Sequence, residues 1–220
     1  MSRETTPEGP YADTRTMLDV HAMFRREFRR APALVDGVLP DDRPRTDVVA
    51  GHIHFLCAIL HAHHTLEDEF LWPRLKDRGS AETAEISLLM ENHHLDIATI
   101  VARINDELQS WRSGAGSQHR SALSQAIRQL MPALLDHMSL EESRALPAVE
   151  EHVTAAEWEQ MGEAARGHFS RDDLLLAKGM ITCAKLESAP EASVSPFEQQ
   201  ALQIYAPYAE RVHGPARTSE

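Results

Sequence analysis

Apolar residues recur at three- and four-residue steps through most of this chain, the spacing of one face of an α-helix, and long alternating runs that would mark strands are absent. A first helix can begin at Thr14, with Met17, Val20, His21, Phe24 and Phe28 on one face. It should weaken near Pro32 and be finished by Gly37, Pro40 and Pro44. Thr46 can cap a second helix that runs to about Asp77 before Gly79, with Ile53, Leu56, Leu60, His63, Glu67 and Phe70 as its core face and Pro73 as a late kink or stop. Ser80 can cap a third, from about Ala81 to Ser113, whose seam reads Ile86 or Ser87, Met90, His94, Ile97, Val101, Ile104 and Leu108. After a loop at residues 113–117, a fourth carries Ile127, Leu130, Leu134, His137 and Glu141 on one face, with an expected kink at Pro132 and Pro147 near its end.

Four long amphipathic segments joined by short or moderate loops predict an all-α protein, an antiparallel up-down-up-down four-helix bundle. Additional C-terminal helices follow. Thr154 and Glu157 form a capping box for one that can continue into RDDLLLAKGMITCAKLE, and the linker APEASVSP leads to a last short helix around FEQQALQIYAPYAERV. The expected organisation is a flexible tail over 1–12, the bundle over 13–152, a helical extension over 153–213 for packing or oligomerisation, and a second tail over 214–220.

Composition narrows the function classes. A length of 220 residues allows one domain with a sizeable core and peripheral helices. The net charge of −12 argues against nucleic acid or an anionic membrane surface as partner. No apolar run is long enough to span a bilayer and the start lacks the apolar core of a signal peptide, so a soluble, cytoplasmic protein, monomer or homodimer, is expected. The two cysteines, Cys57 and Cys183, are far apart and support neither a disulfide framework nor a zinc ribbon. Histidine is the outlier, with 13 copies.

Position explains most of that excess. His63 is followed by Leu66 and Glu67, with Pro73 six residues after the glutamate; His137 is followed by Leu140 and Glu141, with Pro147 at the same distance. His21 precedes the first pair and His94 the second at nearly equal separations, giving the order H, HxxxE, H, HxxxE. All six of His21, His63, Glu67, His94, His137 and Glu141 interrupt apolar seams. A lone histidine on such a face is commonly a hydrogen-bonded core residue. Six together are not, because each buried polar group without a partner costs about 1–3 kcal/mol against a total stability of about 5–15 kcal/mol. They must satisfy one another or something between them. The i, i+4 spacing brings His and Glu of one helix to the same point. The donors are too many for one tetrahedral zinc ion and suit two ions, with iron or manganese favoured by imidazole and oxygen without thiolate.

In these motifs the chain resembles the hemerythrin-like (HHE cation-binding) family, antiparallel four-helix bundles holding a non-haem di-iron centre. The matching stretches are His21-Ala22-Met23-Phe24-Arg25, His63 and Glu67 with Asp68 and Trp72-Pro73, His94 in MENHHLD, and His137 with Glu141 in HMSLEES. The resemblance covers about residues 14–150. It implies two iron ions with an oxo or hydroxo bridge, Glu67 and Glu141 bridging them, and the four histidines as terminal ligands. Oxygen-carrying members place HxxxH on the third helix, whereas Met90 stands four residues before His94. The four-His, two-Glu set resembles instead the branch linked to nitric oxide handling, iron-sulfur repair and peroxide, and implies an open coordination position.

On a helical wheel His64 and His93 point away from their neighbours and are assigned supporting or solvent roles. His52, His54 and His61 leave the seam and read as surface unless they line an entry path; His119, His152, His168 and His213 read as structural or exposed. Asp68 either orients a ligand or faces solvent, and Glu91, His64 or water could fill the open position. Two readings follow: a protein that binds or senses oxygen or nitric oxide, or an oxidoreductase acting on peroxide or nitric oxide. Iron donation is a third use of the same site, and a purely structural metal the plainest one.

Overall fold

The computed structural model describes residues 9–114 and 117–214. Among these, nine α-helices and one π segment carry nearly the whole chain, with a single isolated bridge between Tyr11 and Thr154 in place of any strand. Helix α1 spans Arg15–Asp36, α2 Arg43–Phe70, α3 Trp72–Arg78, α4 Ala81–Arg112 and α5 Ser117–Leu140. The π segment, Glu141–Ala145, joins α5 to α6, Leu146–His152. Then come α7 Ala155–Gly167, α8 Arg171–Ser188 and α9 Pro196–His213.

Helix α1 runs through Pro32 instead of weakening there. Ala31 and Val35 continue its seam fully buried, and that packing offsets the roughly 3 kcal/mol a mid-helix proline costs. The second helix starts earlier than Thr46 suggests, because the Asp42 side chain accepts from the Arg45 backbone N–H and Pro44 occupies the first turn, where its missing donor is harmless. It stops at Phe70, and Pro73 then opens α3 in the same way. Ser80 caps α4 as expected, accepting from the Thr83 N–H at 3.2 Å. The capping box of Thr154 and Glu157 forms at α7, but α7 and α8 are separate helices, since Ser170 caps a new start. The last helix is longer than a short terminal turn and has its own capping box, Ser195 with Glu198.

Helices α1, α2, α4 and α5 make the bundle, with α1 against α2 and α5, and α4 against α2 and α5. On its outside, α8 lies along α1, α9 pairs with α8 and touches α2, and α7 packs on α2. The second bundle helix is therefore enclosed on more than one face. Pro10 and Ala12 hydrogen-bond to the backbone of Ala155 and Val153. Residues 1–8 and 215–220 of the expected tails lie outside the described residues, as do Ala115 and Gly116 of the expected loop.

The apolar interior has two parts. A large cluster holds Phe24, Phe28, Ile53, Leu56, Leu60, Ile104, Ile127 and Leu134; a smaller one holds Met17, Leu71, Trp72, Leu75, Met90, Leu146 and Val149. His21, His63, Glu67, His94, His137 and Glu141 form the polar layer between them. Among the described residues no helix is long and apolar enough to cross a membrane.

Candidate metal centre

All six residues singled out by the repeat converge. His21, Glu67, His137 and Glu141 have no exposed surface, His94 is 4% exposed, and the His63 side chain 11%. The antiparallel arrangement makes this possible. His21 lies early in α1, His63 and Glu67 late in α2, His94 in the first half of α4, and His137 late in α5, all at one level of the bundle.

The carboxylates link the imidazoles. Glu67 Oε1 lies 3.1 Å from His63 Nε2 and its Oε2 lies 3.3 Å from His94 Nε2, so one carboxylate faces both halves of the layer. Glu141 Oε2 is 3.3 Å from His21 Nε2 and 3.4 Å from His137 Nε2. None of these contacts is a hydrogen bond, and both oxygens of each glutamate are buried without a partner. The same holds for Nε2 of His21, His63, His94 and His137.

Outer groups fix the rings from behind. His21 Nδ1 pairs with Glu142 Oε1 at 2.7 Å, and Arg25 holds that carboxylate at 2.8 Å. His94 Nδ1 pairs with Asp68 Oδ1 at 2.8 Å, so Asp68 holds the His94 ring while keeping an exposed edge. With Nδ1–H donating outward, each Nε2 presents a lone pair inward, as a metal-binding histidine does. Glu142 was not foreseen. The π segment that begins at Glu141 widens this turn by one residue and lets consecutive glutamates address the two nitrogens of His21.

His64 departs from the wheel reading. It is 6% exposed, stacks on His94 with ring centres 4.0 Å apart and planes within 7°, and has an unpartnered Nε2. A second apolar seam, Ile53, Cys57, Leu60 and His64, was present in the sequence, and α4 covers it. The remaining assignments divide. Glu91 pairs with Lys76 at 2.6 Å instead of turning inward. His93 is partly buried, with its ring 6.0 Å from His137. His52, read as surface, is 1% exposed beneath α9, a helix its own periodicity could not announce. Met90 is buried in the smaller apolar cluster.

Two donor groups result, each with its ligand atoms within 4.8 Å of one another: His21, His63, Glu67 and Glu141; and His64, Glu67, His94 and His137. Glu67 belongs to both. Donor separations of 3.1–3.4 Å without hydrogen bonds between the donors put the facing atoms close enough to share a cation. The residues present therefore fit two metal ions, and the buried donors left without partners are the observation that says so.

The family model for the hemerythrin HHE cation-binding domain matches residues 12–149. The chain belongs to that family. Searches of curated proteins and of solved structures return no match. A hemerythrin-like, cation-binding helical domain is thus the frame for the electrostatics.

Without a cation, protons must do its work. Burial disfavours charge on His21 and His94, yet their carboxylates outweigh it: Glu141 and Glu142 at His21, Asp68 and Glu67 at His94. Both pKa values are raised to about 9. Burial drives His63 and His64 well below the usual imidazole value and His137 to about 3. Burial beside the like charge of Glu141 raises the Glu67 carboxyl, whereas His21 holds Glu141 low against its own burial.

Two cavities reach the layer. One of about 260 Å³ is lined by Met17, Val20, Ile59, Leu66, Trp158, Met161 and Ile181, and touches His63 and Glu67. The other, of about 570 Å³, lies between α2 and α4 and touches His61, His64, Asp68 and His94.

Proposed function

We propose that the layer holds two iron ions, with His21, His63, His94 and His137 as terminal ligands, Glu67 and Glu141 between the ions, and His64 as a fifth imidazole. The observation that carries this is Glu67, whose two oxygens point to different histidines on different helices with no other partner. Ferrous iron would supply an electron-rich position for an uncharged diatomic ligand, oxygen or nitric oxide, which the protein binds or senses.

The donors divide unequally. The group around His21 and His63 has two imidazoles; the group around His64, His94 and His137 has three. With Glu67 and Glu141 both shared as proposed, the His21 and His63 side has one protein ligand fewer, which leaves more of its shell to exogenous ligand. That is also the side reached by the apolar cavity between α1, α2, α7 and α8. Its lining favours a small uncharged molecule over ions, while the buried layer excludes bulk water.

A second reading, turnover of peroxide or nitric oxide, draws on the other cavity, where Asp68 and His61 stand beside His64 and His94 and could move protons. One experiment separates the two. Protein loaded with iron anaerobically is exposed to oxygen, nitric oxide and peroxide while its optical spectrum is followed. A coloured adduct that reverses under vacuum is the expected result; rapid gas evolution from peroxide with no stable adduct supports turnover. Iron lost to a mild chelator without unfolding would favour donation instead.

A further inference from the structure

A second constellation stands apart from the bundle layer. Glu27 of α1, His52 of α2 and His213 at the end of α9 bring one donor atom each within 4.8 Å of the others. His52 lies three turns before His63, about 16 Å along the same helix. Glu27 Oε2 is 3.4 Å from His52 Nε2 and 3.3 Å from His213 Nε2. The Glu27 and His52 side chains have no exposed surface and His213 has 16%. All three facing atoms lack a hydrogen-bond partner.

The outward atoms of Glu27 and His52 are held, and so is the backbone that carries His213. Glu27 Oε1, the oxygen facing away, accepts from Arg26 and from the Tyr205 hydroxyl at 3.2 Å. His52 Nδ1 pairs with the Tyr208 hydroxyl at 3.0 Å, and as donor there it leaves the Nε2 lone pair free. Arg45 donates to the Arg211 and Val212 carbonyls, which pins the end of α9 and with it His213. Glu27 and His52 are thus oriented by outer partners, the arrangement that supports metal ligands, and His213 is placed by its anchored backbone.

The distances discriminate. Two N–H groups donating to one carboxylate oxygen would approach to about 2.7–2.9 Å. Tetrahedral bonds of about 2.0–2.1 Å instead place donor atoms about 3.3–3.4 Å apart. Both carboxylate–imidazole separations, 3.4 and 3.3 Å, match the latter. We propose that Glu27, His52 and His213 form a mononuclear site for a divalent transition-metal ion, zinc by its N2O donor set, that fastens α9 to α1 and α2. Three protein ligands of four leave one position to solvent.

The test uses the full chain and zinc alone. Zinc stoichiometry is measured by equilibrium dialysis for the parent protein, His213→Ala and His137→Ala, and the spectrum of bound cobalt(II) is recorded for each. His213→Ala is expected to lose one ion per chain together with the intense visible bands of tetrahedral cobalt, whereas His137→Ala keeps those bands. Because His137 belongs to the bundle layer, failure there and failure here are told apart. Tyr208→Phe leaves all three ligands in place and is expected to bind this zinc about 10–100-fold more weakly. Equal stoichiometry and equal cobalt spectra in the parent and His213→Ala, or equal zinc affinity in the parent and Tyr208→Phe, would overturn the proposal and leave Glu27, His52 and His213 as an ion-pair cluster only.

Discussion

At the scale of single residues, the buried donors and the groups behind them make separable demands. Glu141 stands between His21 and His137, so Glu141→Ala should remove much of the bound iron while leaving the helical content unchanged; metal analysis with circular dichroism checks both. Asp68 pairs with His94 Nδ1 and is not itself in either donor group. Asp68→Ala should therefore weaken iron binding by about 10–100-fold without changing the number of ions held at saturation, read from a chelator competition. Much of this was legible in the sequence, because HxxxE fixes His and Glu one turn apart on any α-helix. His64 was not, since a wheel drawn with one buried stripe puts it outside. It becomes inward-facing only because α4 covers the Cys57 and His64 side of α2. Glu142 escaped for a different reason, as the π turn that brings it to His21 has no signature in apolar periodicity.

At the scale of elements, the bundle helices follow from their seams, and the errors sit at their ends. Pro73 starts a helix instead of kinking one, and Pro32 is absorbed by packing, outcomes decided by which neighbours are buried and not by proline itself. The C-terminal helices have a role their sequence did not disclose. Helices α7 and α8 wall the apolar cavity at His63, and Gly162 of α7 lines it. A Cβ built at Gly162 meets only Arg166, at 3.7 Å, so a larger side chain fits toward open space. Gly162→Leu is expected to slow ligand uptake at unchanged iron content, measured by stopped flow. It should also raise stability by about 0.5–1 kcal/mol through helix propensity, measured by urea unfolding.

At the scale of the whole molecule, a polar layer lies between two apolar clusters, its charges balanced by protons on His21, His94 and Glu67 when no cation is present, and an outer set of helices closes over it. Glu198 helps hold that outer set, accepting from the Ser195 N–H and pairing with Lys178 of α8. The Ser195 N–H first, and Lys178 after it, lower its pKa from 4.5 to about 2. A depressed carboxyl stabilises fully above its unfolded value and loses that contribution as pH falls through the folded one. The parent should thus be more stable than Glu198→Gln at pH 7, and the gap should close as pH falls from about 5 to about 2, as urea titrations at each pH would record. Nearer the core lies the proposed pair of ions sharing Glu67. Anomalous diffraction at the iron edge, from crystals of protein loaded anaerobically with ferrous iron, tests it most directly. Two peaks flanking Glu67, one beside His21 and His63 and one beside His94 and His137, are predicted; a single peak in the layer, or none, would contradict the account.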